Sequence, residues 1–280
     1  MHSEFKKLPA VAFWGDFNVG KSALINALIH QPLLEVVRGE STPGFIFIAN
    51  NGGDGQICWY RFDALTHDCS VFEQKAMIKW SLTNPTCASK HNRDIIVGYL
   101  PNLPFSRMVM VDSQGFSSAR YDSDARDYLR DAPFEMLSVM VINCEYVGAK
   151  HSMEILKEIY ESHPDRTVVA LNGVDCLELD EILSLQKRTP KRLSTFGIQH
   201  VPPIYYLSAK LECERYQKGN QKYRESCKQA VIELCDIQFD RFRLFLYSWE
   251  AQHSTAKTLI VEQIQLLLHN HAISTEGIKG

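Results

Sequence analysis

Four short polar segments of the sequence carry residue types suited to phosphate and base chemistry. They are GDFNVGKS at 15–22, DSQG at 112–115, NGVD at 172–175 and SAK at 208–210. Each follows an apolar run, where a buried strand is expected to end. In open α/β sheets, ligands bind beside the ends of neighbouring strands. The four segments therefore predict one ligand site assembled from distant parts of the chain.

The segment GDFNVGKS has the spacing of a phosphate-binding loop, G-x-x-x-x-G-K-[ST], between an apolar strand and a helix. Backbone N–H groups of such a loop surround a β-phosphate, and its glycines leave room for the anion. Lys21 is predicted to span the β- and γ-phosphates, and the Ser22 hydroxyl to bind Mg²⁺. The pattern predicts a bound nucleoside triphosphate, and the expected contacts in this loop are Gly15, Asn18, Val19, Gly20, Lys21, Ser22 and Ala23.

Two further segments can complete the phosphate and metal site. In DSQG, Asp112 is expected to hold a Mg²⁺-bound water, and the Gly115 N–H to meet the γ-phosphate. Thr42, in GESTPGF, is a candidate switch threonine for Mg²⁺ and the γ-phosphate, although a threonine beside Pro43-Gly44 is also an ordinary turn residue. An ATPase would also place an acid at a strand end, so Asp112 alone leaves the base open.

The segment NGVD bears on the identity of the base. Asp175 can accept hydrogen bonds from both N1–H and the 2-amino group of guanine, which adenine does not offer. Asn172 is expected to hold the loop and approach O6, and the turn Ser208, Ala209, Lys210 to donate a backbone N–H to O6. The competing interpretation makes Asp175 the N-cap of the following helix. The order of the motifs favours guanine.

The elements that must position these segments alternate as in an α/β protein. Apolar strands are predicted at 11–14, 107–112, 135–144, 167–172 and 202–207, with helical periodicity between them. Near-continuous apolar strands separated by helices predict a mainly parallel sheet covered on both faces. The predicted fold class is therefore α/β, a three-layer phosphate-loop fold.

Two regions depart from that alternation. Between about 45 and 106 lie predicted strands in FIFIA, QICWYRF and RDIIVGYL and a predicted helix VFEQKAMIKWSL, which together form an insertion too long for a plain connection. From about Gln221 a long helix with one apolar face is expected, followed by the amphipathic segment TLIVEQIQLLL. We therefore divide the chain into a domain at 1–220 and C-terminal helices at 221–280, which either pack on that domain or form a short neck for a partner.

The composition limits the class of protein, its partners and its cellular compartment. With 280 residues, 45% hydrophobic and 22% charged, the chain has the make-up of a globular protein. A net charge of -3 argues against nucleic acid as the main partner. The eight cysteines form no C-x-x-C pair, which favours reduced thiols in the cytoplasm. No apolar run reaches the roughly 18 residues of a membrane span, so any membrane contact is expected to be peripheral.

Taken together, GDFNVGKS, Thr42, DSQG, NGVD and SAK resemble the motif series of translation-factor-class GTPases. GKSALINAL, the long insertion after Thr42 and the stretch from DSQGF to VINCE resemble the dynamin-like subgroup, over roughly residues 10–237. The resemblance implies Mg²⁺-dependent hydrolysis of GTP to GDP and phosphate, with Lys21, Asn18, Thr42 and Gly115 as catalytic residues. Its metal ligands would be Ser22, Thr42 and, through water, Asp112. It also implies a nucleotide-dependent homodimer or a larger protein partner.

Three positions depart from that family's pattern. Gly173 replaces a lysine whose stem covers the guanine face, while Phe17 and Asn18 stand where dynamins carry a Gln-Ser pair. Phe116 is apolar where Ras-like GTPases have a water-orienting glutamine. No water-positioning residue is identified. The alternatives are therefore a slow or non-hydrolysing GTP-binding switch or scaffold, and a protein that uses ATP or several nucleotides.

Overall fold

The computed structural model describes residues 8–34, 36, 45–50, 56–62, 69–72, 95–116, 134–216 and 221–253. Three predicted features lie outside these residues: Thr42, the predicted helix at 123–132 and the amphipathic segment at 258–268. Most of the predicted helix VFEQKAMIKWSL also lies outside them. Its first two residues, Val71 and Phe72, belong to a strand, so the start of that helix was predicted wrongly.

One sheet of nine strands runs through the described part of the chain, in the order β4-β3-β5-β2-β6-β1-β7-β8-β9. The strands are β1 Leu8–Trp14, β2 Phe45–Asn50, β3 Cys58–Phe62, β4 Cys69–Phe72, β5 Ile95–Leu100, β6 Val109–Asp112, β7 Phe134–Asn143, β8 Thr167–Asn172 and β9 Ile204–Leu207. Strands β6, β1, β7, β8 and β9 are mutually parallel, which confirms the mainly parallel sheet. Their carboxyl ends consequently share one edge.

The strands predicted in FIFIA, QICWYRF and RDIIVGYL are present as β2, β3 and β5. Strand β2 joins the parallel part through an antiparallel pairing with β6, and β5 runs parallel to β2. Strands β3 and β4 continue outward by antiparallel pairing. These strands therefore widen the sheet on the side away from β9.

Helices cover both faces of the sheet. They are α1 Lys21–Ile29, α2 Lys150–Ser162, α3 Leu179–Thr195, α4 Ala209–Tyr216, α5 Lys222–Ser226 and α6 Gln229–His253. Because side chains alternate along a strand, Ala12 of β1 joins the core with α2 and α3, and Phe13 joins the core with α1 and α6. This arrangement agrees with the predicted three layers. In the described ranges, no helix combines the length and apolarity that crossing a bilayer would need.

The single long helix expected from about Gln221 is wrong, because the chain forms two helices there. Cys227 is extended (φ -86°, ψ 154°) and separates α5 from α6. This break lets Arg224 of α5 pair with Asp236 of α6. Helix α6 then packs along the sheet, and its Phe242 ring lies 5.0 Å from Tyr205 of β9.

A group of charged side chains, with Glu212 and Arg243 largely buried at its centre, joins α4 to α6. Glu212 of α4 is 1% exposed and pairs with Arg243 of α6. Arg215 of α4 pairs with Asp240 of α6 at 3.0 Å and lies 3.5 Å from Glu212. Burial raises the pKa of Glu212, and its hydrogen bond from Arg243 opposes that rise. Arg243 and Arg215 therefore favour the charged form of this carboxylate against the effect of burial.

We predict that Arg243→Met destabilises the protein by about 3 kcal/mol at neutral pH, because Glu212 loses its main partner. Without that partner, the folded-state pKa of Glu212 rises further above its unfolded value. The folded state then binds more protons, so the loss should shrink as the pH falls. Urea unfolding at neutral and mildly acidic pH measures this.

Lys228→Met is the matched control, because Lys228 and its partner Glu178 are 70% and 61% exposed and such a pair contributes little. A loss for Arg243→Met no larger than that of the control, or one that does not depend on pH, would contradict the prediction.

Candidate nucleotide-binding site

The loop between β1 and α1 has the backbone of an anion-binding turn. Three of its residues have positive φ: Gly15 at 152°, Asn18 at 60° and Gly20 at 90°. A Cβ on Gly15 would lie 2.3 Å from the carbonyl oxygen of Val141, so only glycine fits there. Gly20 is the N-cap of α1, and no side chain caps the helix. The N–H groups of its first turn are therefore available to an anion.

The Lys21 side chain is buried against the backbone of this loop. Its side chain is 7% exposed, and Nζ donates hydrogen bonds to the carbonyl oxygens of Gly15 at 3.2 Å and Asp16 at 3.0 Å. Burial lowers the pKa of Lys21, while the negative charges of Asp112 and Asp16 oppose that shift. A buried ammonium held mainly by neutral carbonyl groups is well placed to bind phosphate oxygens.

Ser22 and Asp112, two of the residues predicted to hold a metal, lie side by side. The Ser22 hydroxyl donates a 2.6 Å hydrogen bond to Oδ2 of Asp112, which is fully buried at the end of β6. A hydroxyl and a carboxylate oxygen at this distance fit Mg²⁺, which prefers oxygen ligands. In the described ranges, no three His, Cys, Asp or Glu side chains cluster to hold a metal by themselves.

The DSQG segment packs directly on the phosphate loop. The Phe116 N–H donates to the carbonyl oxygen of Gly15 at 3.3 Å. A Cβ on Gly115 would lie 2.8 Å from the backbone of Phe17. The Phe116 ring is 4% exposed and stacks on Trp14 with centroids 6.4 Å apart. Phe116 is thus a core residue that anchors this segment, a role that its sequence position did not reveal.

Asn172 links the phosphate loop to the SAK turn. Its Nδ2 donates to the carbonyl oxygen of Val19 at 2.9 Å, and its Oδ1 accepts from the Ala209 N–H at 3.0 Å. A Cβ on Gly20 would lie 2.3 Å from that Nδ2, so the second glycine of the loop also makes room for Asn172. Ser208 is buried and its hydroxyl accepts from the N–H of Leu211, so the side chain caps α4.

Asp175 does not cap the helix that follows it. It lies in a single 3₁₀ turn at Val174–Cys176. Helix α3 instead starts at Glu178, which forms a capping box with Glu181. The competing interpretation of Asp175 as an N-cap is therefore wrong. The E-x-x-E spacing at 178–181 was the sequence signal that could have revealed this.

Gly173 leaves open space beside the base-recognition segment. It adopts a left-handed conformation (φ 85°), and a Cβ there would approach only Cys144 Sγ, at 3.9 Å. A residue with a Cβ, such as lysine, would meet no close atom at its Cβ but would be strained in this left-handed conformation. The backbone at this position therefore favours glycine.

The residues predicted to recognise the base line a cavity of about 490 Å³. Among the residues predicted from the sequence, its walls include Ala23, Asn172, Asp175, Ala209 and Lys210. Gly173 also lines the cavity. Sequence reasoning missed the rest of the lining, which comes from α1 and the chain after it, from the 3₁₀ turn and from α4: Asn26, His30, Gln31, Pro32, Val36, Cys176, Cys213 and Glu214. A cavity of this size accommodates a nucleoside.

Tyr223 of α5 also contacts this region and was not foreseen. Its hydroxyl donates a 2.6 Å hydrogen bond to Oδ2 of Asp175. The Lys210 ammonium lies 3.1 Å from the centroid of its ring, a cation–π contact. No sequence pattern signals the tyrosine, because it lies 48 positions after Asp175.

Comparison with known proteins adds evidence about the fold alone. No protein-family model and no curated protein matches the sequence. Two solved structures come from work on an oligomerised bacterial dynamin pair described as sensing and tethering membranes over long range. One matches with a TM-score of 0.64 and 14% identity, and the other with 0.63 and 15%. They cover 98% and 99% of this chain, which spans 43% of each bacterial protein. The chain is therefore similar in fold to bacterial dynamins.

Proposed function

We propose that this chain is a dynamin-like GTPase that binds GTP with Mg²⁺ and hydrolyses it to GDP and phosphate. The observation that carries the proposal is the Asn172 side chain, which bonds the phosphate loop at Val19 and the SAK turn at Ala209. These bonds hold the loop at 15–22 beside the SAK turn, and Asn172 itself lines the cavity together with Asp175 and Ala209. The dynamin-like fold supports the choice of GTPase class.

In this proposal, different residues bind the phosphates, the Mg²⁺ and the guanine base. Gly15, Asn18 and Gly20 shape the loop around the phosphates, and Lys21 spans the β- and γ-phosphates. Ser22 and, through water, Asp112 hold Mg²⁺, which when bound offsets negative charge on the phosphates. Asp175 accepts from the N1–H and 2-amino groups of guanine.

Catalysis is assigned to Lys21, Asn18, Gly115 and Thr42, the last of which lies outside the described residues. Lys21 and the Gly115 N–H would stabilise negative charge on the γ-phosphate as it is transferred. Asn18 lies in the phosphate loop, from which an amide can reach a phosphate oxygen. The group that orients the attacking water is not among these residues. We propose that nucleotide-dependent dimerisation supplies or positions it.

A GTP-binding switch with little hydrolysis is the second candidate, and the Phe116 contacts favour it. This side chain stacks on Trp14 in the core and holds the DSQG segment against the loop. An apolar ring directed into the core cannot orient water. Phe17, beside Gly115, also has no group that could do so.

The setting of this activity is also a proposal. The bacterial dynamins with a similar fold are described as tethering membranes. We infer for this chain a cytoplasmic location, peripheral association with a membrane or larger protein partner, and no role for nucleic acid. The GTPase domain would comprise residues 1–220, and the helices from 221 onward would pack on it or link it to the partner.

We predict that Lys21→Met abolishes nucleotide binding without weakening the fold, since it removes a buried ammonium. In differential scanning calorimetry, GTP with Mg²⁺ at about 100 times its Kd should stabilise the wild type by about 2.7 kcal/mol and the variant not at all. Lys228→Met, at an exposed lysine, is the control and should respond as the wild type does. An undiminished response of Lys21→Met would refute the phosphate site.

Asp175→Asn should change the preferred base from guanine to xanthine, because an amide N–H can donate to the 2-oxo group of xanthine. Affinity for GDP should fall about 100-fold, from the loss of roughly 3 kcal/mol of charge-assisted hydrogen bonding. Affinity for xanthosine diphosphate should rise. Titration calorimetry with both nucleotides measures this, with the exposed Asp165→Asn as control. Equal affinities of the wild type for GDP and ADP would overturn the assignment of guanine.

Phosphate release in single turnover, with protein in excess over GTP and Mg²⁺ present, separates the two candidate functions. We expect release, at a rate per subunit that rises with protein concentration. GTP that remains intact for hours would favour the switch. Release at a rate that does not depend on concentration would keep the GTPase and remove the proposed dimer.

A further inference from the structure

Tyr223 contacts two residues of the base cavity without lining the cavity itself. Among the described residues, the cavity walls include Asp175 and Lys210 but not the tyrosine. Its hydroxyl bonds Asp175, and its ring lies below the Lys210 ammonium. The tyrosine therefore supports one acidic and one basic wall residue at the same time.

The short helix that carries Tyr223 is fixed by its neighbour Arg224. The Arg224 backbone N–H donates to Oε2 of Glu214 at 2.8 Å. Its guanidinium makes a two-point pair with Asp236 of α6, with 2.9 Å from Nη1 to Oδ1, and also reaches the carbonyl oxygen of Leu211. The position of Tyr223 is thus set by α4 and α6 rather than by the NGVD segment.

The carboxylate of Asp175 can serve Tyr223 and a base together. A carboxylate has about four lone-pair positions on its two oxygens, and the tyrosine occupies one of them on Oδ2. Burial and the contact with Asp175 raise the pKa of Tyr223, so its hydroxyl keeps the proton that it donates. The remaining lone-pair positions of the Asp175 carboxylate can accept hydrogen bonds from the N1–H and 2-amino groups of guanine.

Resting on the function proposed above, we propose that Tyr223 is a positioning residue for guanine recognition. It holds the Asp175 carboxylate in the orientation that accepts both donors of guanine. It also keeps the Lys210 ammonium on its own ring. Because Arg224 ties this helix to α6, the selectivity of the base site depends on the C-terminal helices.

The test is Tyr223→Phe, which keeps the ring under Lys210 and removes only the hydroxyl. Titration calorimetry compares GDP with inosine diphosphate, whose base lacks the 2-amino group and so offers Asp175 one donor instead of two. Affinity for GDP should fall about tenfold, and affinity for inosine diphosphate by less than about threefold. The ratio of the two affinities is the readout that a purely structural role would not change.

Tyr247→Phe is the control, since that ring packs on Phe105 at 4.8 Å and does not line the cavity. Equal losses for the two nucleotides, or no loss, would overturn the positioning role. Tighter GDP binding by Tyr223→Phe would also overturn it, because the hydroxyl would then compete with the base. The wild type separates failure of this inference from failure of the proposed function. If the wild type prefers GDP to ADP, the proposed function stands even when the positioning role of Tyr223 fails. If the wild type lacks that preference, both the positioning role and the proposed function are overturned.

Discussion

The hydrogen bonds of one side chain, Asn172, connect the parts of the candidate site. Its amide donates to the phosphate loop and accepts from the start of α4, across sequence separations of 153 and 37 residues. A side-chain amide suits this task because it offers a donor and an acceptor on one rigid plane. Loop, turn and cavity therefore share a single reference point at the end of β8, between β7 and β9 of the parallel strands.

Two side chains with ionisable groups, Lys21 and Asp112, are buried near that point. Lys21 is buried with carbonyl oxygens as its nearest partners, and Asp112 is buried beside the Ser22 hydroxyl. Desolvated charges are costly unless they are paired. The opposite charges of Lys21 and Asp112 offset part of that cost, since the Asp112 charge opposes the lowering of the Lys21 pKa by burial. The two glycines of the loop have a steric reason, because a Cβ at either position would collide with Val141 or Asn172.

The C-terminal helices belong to the same physical unit as the base cavity. Helix α6 covers the sheet beside α1 and pairs with α4 through Glu212 and Arg243. Helix α5 pairs with α6 through Arg224 and contacts Asp175 through Tyr223. A change in the position of these helices can therefore alter the geometry of the base site through direct contacts.

By itself, the sequence determined the α/β class, the mainly parallel sheet, the glycine-bounded turn between β1 and α1 and the strand-end positions of Asp112 and Asn172. These follow from local spacing and from the alternation of apolar runs, which depend on neighbours in the chain. The break at Cys227, the core role of Phe116 and the contacts of Tyr223 were decided only by the tertiary structure. Such features depend on which distant side chains meet, as Tyr223 and Asp175 do across 48 positions, and no local pattern records that meeting.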